Sequence, residues 1–120
     1  MDIRVWRDAY HLWNGDVLPI RAMKSPIANL QKVFESRIRL GIMSALMVND
    51  TIDFNTLKEL LGLTDGNLAS HLKALEQQEI IVVSKQFVGR KPSTTYKATE
   101  QGRDLFRQHL AALEKLISNQ

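Results

Sequence analysis

Two short amphipathic stretches lie back to back between residues 54 and 79, divided by Gly62-Leu63-Thr64, and nothing else in the chain constrains its fold as tightly. Leu57, Leu60 and Leu61 give the first stretch one apolar edge, and Leu68, Leu72 and Leu75 give the second another. Asp53 is placed to cap the first helix, Gly62 to stop it in a left-handed conformation, and Thr64 to cap the second. Two helices on a three-residue joint make a helix-turn-helix.

The second helix, within LTDGNLASHLKALEQQE, has an unusual outer face. Gly66, Asn67, Ser70 and Lys73 fall away from its leucine edge, where a solvated helix would carry long Glu and Lys side chains. After Glu79 the composition changes to IIVVSKQF, then to turn material VGRKPS, then to TTYKAT, which reads as a β-hairpin. Charge divides at the same place. Residues 51–79 hold two basic and five acidic side chains, a balance of −3. Residues 80–98 hold Lys85, Arg90, Lys91 and Lys97 and no acid, a balance of +4. A positive block beside such a helix is an electrostatic footprint for nucleic acid, with a solvated basic loop as the plainer alternative.

Upstream, Ile3, Trp6, Tyr10 and Trp13 recur at helical spacing and predict a short amphipathic helix ending near Asn14-Gly15. Both tryptophans are here, more suited to docking on the body or a second subunit than to lining a ligand pocket. Ser25-Pro26 has the form of a helix start, with helix expected through IANLQKVFESRIRLGIMSALMVN, with or without one break. Gly41 in that run costs about 1 kcal/mol against Ala, which implies close approach of another element. TID is a short extended piece. Thr99 opens a last helix striped by Leu105, Phe106, Leu110, Leu113, Leu116 and Ile117.

The absence of cysteine excludes disulfides, thiolate catalysis and cysteine metal sites. No apolar run approaches the ~18 residues of a membrane span, and MDIRVWRDAY lacks the form of a signal peptide, so an intact cytoplasmic protein without membrane association is expected. His11, His71 and His109 fall in separate elements without metal-ligand spacing, and no phosphate loop or nucleophile elbow occurs. Neither enzyme activity, metal nor cofactor is expected. His71 is expected to be partly buried with a backbone hydrogen bond, and His109 to lie near an interface.

Helix, short strand, helix-turn-helix, basic-tipped hairpin and helix follow the order of a winged helix-turn-helix. Residues 30–117 resemble the stand-alone winged-helix transcriptional regulators related to the multiple-antibiotic-resistance (MarR) and arsenic-repressor (ArsR) groups. FESRIRLGIM, DFNTLKELLGLTDGNLASHLKALEQQEII, FVGRKPSTTYKAT and TEQGRDLF carry the resemblance. Glu79 stands where that family usually has glycine. The implied fold is mainly α with a small β-hairpin, a winged helix-turn-helix with a long C-terminal helix and an N-terminal helical extension. The expected division is residues 1–27 as extension and 28–120 as DNA-binding and dimerisation domain.

The implied function is sequence-specific binding of double-stranded DNA by a homodimeric transcriptional regulator, at a near-palindromic operator. A recognition helix at about residues 64–79 would enter the major groove and a wing tip at 88–93 the minor groove. That use explains the helix face: Gly66 and Ser70 allow close approach, and Asn67 and Ser70 meet base edges. Asp65 either meets a cytosine amino group or stays clear of the duplex. Lys58, Thr64, Lys73, Lys85, Arg90 and Lys91 complete the expected DNA contacts. Trp6, Trp13, Leu110, Leu113, Leu116 and Ile117 are the expected dimer contacts, the last helix having more apolar face than one small domain covers. The rival reading is a winged helix used for protein–protein contact; whether an effector is sensed stays open.

Overall fold

The computed structural model describes residues 25–118, so the aromatic helix expected around Trp6 and Trp13 lies outside the described residues. Pro26 opens a turn rather than a helix. A single 3-10 turn follows at Lys32–Phe34, and α1 starts only at Arg37, running to Val48. Ser36 displaces Ser25 as the effective cap, because its side chain accepts from the Arg39 N–H at 3.4 Å while its backbone is extended. The long helix expected from residue 26 is therefore confined to its second half. What secures the preceding segment is a tertiary bond: the Gln31 N–H donates to Nδ1 of His109, 78 residues away, at 2.9 Å.

Strand β1 (Ile52–Asp53) leads directly into α2 (Phe54–Leu61), and α3 follows at Asp65–Gln77. Asp53 caps α2 through the Thr56 N–H at 3.2 Å, and the Thr56 hydroxyl beside it holds the Asp53 carboxyl below the usual carboxylate range. Both helices of the pair end in the same device. After α2, Gly62 at φ 63° donates its N–H to Glu59 and Leu63 donates to Lys58; after α3, Glu79 at φ 59° donates to Glu76 and Ile80 to Leu75. These paired bonds satisfy the last carbonyls of a helix and require a left-handed residue between them. Glycine meets that requirement at the first end. At the second, Glu79 adopts the same conformation against a side-chain penalty of ~1 kcal/mol or more. Glu79→Gly is accordingly expected to raise stability slightly, by roughly 0.5 kcal/mol once the extra freedom of glycine in the unfolded chain is counted. Thermal unfolding checks this, and a lowered midpoint would contradict it.

Strands β2 (Ile81–Val88) and β3 (Lys91–Ala98) form the hairpin, and β1 adds to the far side of β3 to give a three-stranded antiparallel sheet ordered β1-β3-β2. The turn is two residues, Gly89-Arg90, rather than the six of VGRKPS. Gly89 at φ 67° followed by Arg90 at negative φ is the combination a type II′ turn needs. Pro92 fits inside β3 because β1 pairs only with Thr95 and Tyr96, leaving that stretch without a neighbour on the far side.

Helix α4 (Glu100–Ser118) closes the core. Phe34 and Phe106 meet edge to face with centroids 5.1 Å apart, both fully or almost fully buried with Ile42, Leu46, Leu57 and Leu72. Gly41 does mark a close approach, since a Cβ there would lie 2.9 Å from Cδ2 of Leu61 on α2. His109 is 2% exposed and packs on Phe34, so it belongs to the core of the domain rather than to a surface.

Candidate nucleic-acid interface

Because Leu68, Leu72 and Leu75 are buried, the opposite side of α3 is fixed as its outer face. Gly66, Asn67, Ser70 and Lys73 all lie there and are exposed, as expected from their spacing. Thr64 holds the helix start: its Oγ1 accepts from the Asn67 N–H at 3.3 Å. That leaves the Asn67 side chain with no protein hydrogen bond among the described residues. A Cβ on Gly66 would meet nothing within 4 Å, so no contact among the described residues requires glycine there.

Asp65 does not stand alone beside this face. Its carboxylate pairs with the Lys58 ammonium at 2.8 Å across the helix-turn-helix joint. The pair is partly exposed and contributes little to stability, but it cancels the charge that would otherwise repel a phosphate at this helix start. Lys58 is thus half-buried and engaged, unlike the exposed Lys73, Lys85 and Lys91.

His71 is half-buried as expected, but its partner is a side chain: Nδ1 accepts from Arg39 Nε at 3.1 Å. The same guanidinium reaches the carbonyl of Val33 at 3.5 Å, so Arg39 ties α3 to α1 and to the 3-10 turn. Arg103 performs a similar task elsewhere, donating to the carbonyls of Leu46 and Met47 at the end of α1, at 3.2 and 3.3 Å. Neither arginine carries a signal in sequence, since His71 and the α1 carbonyls that they bind are distant along the chain.

The wing leaves the core where α3 ends. Arg90 occupies the turn itself and Lys91 the first position of β3, opposite Val88; Lys85 lies further back, opposite Thr94. All three cations are exposed, and the hairpin carries no acid that could neutralise them. On α4, Leu110 and Ile117 are exposed whereas Leu113 and Leu116 are already half-covered within the chain. Among the described residues no group of three His, Asp or Glu could hold a metal ion, and no helix is long and apolar enough to cross a membrane.

Residues 38–117 match the family model for the winged helix DNA-binding domain. The chain is 36% identical over 88 residues to an uncharacterised protein of Methanocaldococcus jannaschii, covering 73% of this chain and 96% of that protein. Among solved structures, a transcriptional regulator homologue from Pyrococcus horikoshii superposes with a TM-score of 0.65 at 29% identity, covering 76% of this chain and 95% of that one. A transcriptional regulator of Thermotoga maritima, at 14% identity, shares the fold with a TM-score of 0.63 over 97% of this chain and 75% of its own. With the helix-turn-helix, the hairpin wing on its two-residue turn and the closing helix in the order described, the chain belongs to the winged helix DNA-binding domain family and is a homologue of transcriptional regulators.

Proposed function

We propose that the chain acts as a homodimeric, sequence-specific transcriptional regulator, with the start of α3 in the major groove and the tip of the wing in the adjacent minor groove. The observation that carries this reading is the outer face of α3. Asn67 and Ser70 are exposed on a helix whose other side is locked to the core, beside a glycine that removes bulk and an acid already paired with Lys58. Such a face can approach base edges, and Asn makes a bidentate pair with adenine. Lys73, Lys85, Arg90 and Lys91 would hold phosphates, giving ~6–10 such contacts in a dimer and a strong dependence on salt. Leu110 and Ile117, with Leu113 and Leu116 between them, offer the apolar face for self-association, helped by the aromatic segment within residues 1–27.

Selection of bound duplexes from a random pool tests the whole arrangement. A near-palindromic site is expected, with half-site centres about one helical turn apart. Recovery of no preferred sequence would overturn the reading. Asn67→Ala and Ser70→Ala are expected to relax base choice at defined positions, by ~1–3 kcal/mol of discrimination for each base-edge pair lost, while binding to random duplex changes little. Unaltered preference in both variants would remove α3 from base recognition.

A further inference from the structure

The end of the wing carries more than charge. Phe87 and Val88 are 75% and 70% exposed and immediately precede the turn. Leaving a phenylalanine in water forgoes the gain from its burial, which a hairpin that only displays cations has no reason to give up. The register shows how the tip is built. Ile81 and Tyr96 face the core, so alternation places Lys85, Phe87 and Pro92 on the same face, beyond the part that the core covers. Val88 and Lys91 occupy the reverse face, with Arg90 at the apex.

Phe87 and Pro92 are direct cross-strand partners. The pair closing a two-residue turn exchanges backbone hydrogen bonds and the next pair does not, so these two stand at the closer spacing, ~4.5 Å between Cα atoms. Proline has a fixed φ and a rigid ring, and the turn beside it is the shortest a hairpin uses. The aromatic ring is therefore held on a stiff support and remains mostly uncovered.

Charge decides what this apolar blade meets. Lys85, Arg90 and Lys91 surround it and no acid occurs in residues 80–98, so the partner presents negative charge on either side of an apolar crevice. The minor groove of duplex DNA has that form, with two phosphate rows flanking sugar faces and the edges of stacked bases. Side chains of this kind enter there and partly unstack a base step.

We propose that Phe87 is a wedge residue: it enters the minor groove at the wing contact and opens one base step in each half-site, with Pro92 behind it and Arg90 and Lys91 on the flanking phosphates. This rests on the DNA-binding reading above and adds to it a second source of sequence choice. Pyrimidine–purine steps unstack most easily, so the wing favours them without reading any base edge.

The test uses the full chain and its selected duplex with 2-aminopurine placed at successive steps under the wing. Binding of the unaltered protein is expected to raise fluorescence at one step per half-site. Phe87→Ala should abolish that rise and weaken binding roughly 5- to 100-fold, the range for loss of a base–aromatic contact. Its salt dependence should stay unchanged, because no phosphate contact is removed. Since Phe87 packs on little else, the thermal midpoint should also hold, and Phe87→Leu should retain part of the fluorescence rise. Equal affinity and an equal rise in Phe87→Ala would overturn the wedge while leaving DNA binding intact. Failure of the unaltered chain to bind duplex would overturn the underlying reading as well. Binding to anionic vesicles that depends on Phe87, with duplex binding indifferent to it, would also overturn the proposal and assign the tip to a membrane surface.

Discussion

Gly102→Ala is expected to lower stability by about 3 kcal/mol, at the upper end of what an overpacked core costs, and the thermal midpoint by roughly 10–20 °C. A Cβ at this position would lie 2.1 Å from the carbonyl oxygen of Ile80 and 2.9 Å from its carbonyl carbon. The obstacle is backbone, so no rotamer change relieves it. Nor can the backbone withdraw cheaply, because the site is a junction. The Thr99 hydroxyl lies 2.7 Å from the carbonyl of Glu79 and 3.0 Å from that of Ile80. The Thr99 N–H donates to the same Ile80 carbonyl at 3.0 Å, and the Gly102 N–H donates to Thr99 Oγ1 at 2.9 Å. Thr99 thereby caps α4 and anchors the end of α3 to it, so a shift at residue 102 would pull on α3. Gly66→Ala is the control: with open space around it and a helical backbone, it should keep or slightly raise stability. Calorimetry on both variants decides the matter, and a Gly102→Ala midpoint equal to that of Gly66→Ala would refute the close approach.

The contrast between those two glycines shows what could be read from the chain beforehand. Asp53, Gly62 and Thr64 announce their roles because capping is local: the side chain and the group it satisfies lie within a few residues. Burial of Leu68, Leu72 and Leu75 is equally legible, since periodicity alone sets the face. Gly102 announces nothing, because the atom it avoids belongs to Ile80. Arg39, Arg103 and His109 are alike in this respect, each satisfying a backbone or ring atom 30 or more residues away. Ser25 and Ser36 both have the chemistry of a cap and periodicity extends across both, yet α1 starts only at Arg37; the bond from the Gln31 N–H to His109, which ties the earlier segment to α4, is equally silent in the sequence. In the wing, Pro92 has the composition of a turn; only the short reach of β1 makes room for it in a strand. The exposure of Phe87 has no signal in the sequence, because a β-branched and aromatic run has the same composition whether covered or not, and the outer half of this hairpin has no layer above it.

Replacing Arg90 and Lys91 together by Ala is expected to have the largest effect on function with almost none on folding. Both side chains are exposed, and neither takes part in an ion pair or side-chain hydrogen bond among the described residues. Surface changes of this kind move stability by no more than ~0.5 kcal/mol. In a dimer the pair removes four charges from the two wings. If each holds one phosphate, the slope of log affinity against log salt should become shallower by up to about 3.6, at ~0.9 per contact. Affinity near 0.1 M salt should fall on the order of 100- to 1,000-fold, and by a similar factor on specific and random duplex, because phosphate contacts carry no sequence information. This differs in kind from the base-edge variants on α3, which should alter preference and spare the slope. It also separates the two uses of a winged helix. A module that binds another protein has no phosphate array to lose, so its affinity for duplex would be weak and its salt slope indifferent to residues 90 and 91. The measurement is a salt titration of duplex binding for the unaltered chain and the double variant on both kinds of sequence. Identical slopes would mean that the basic hairpin does not touch DNA, and the protein-interaction reading would then take its place.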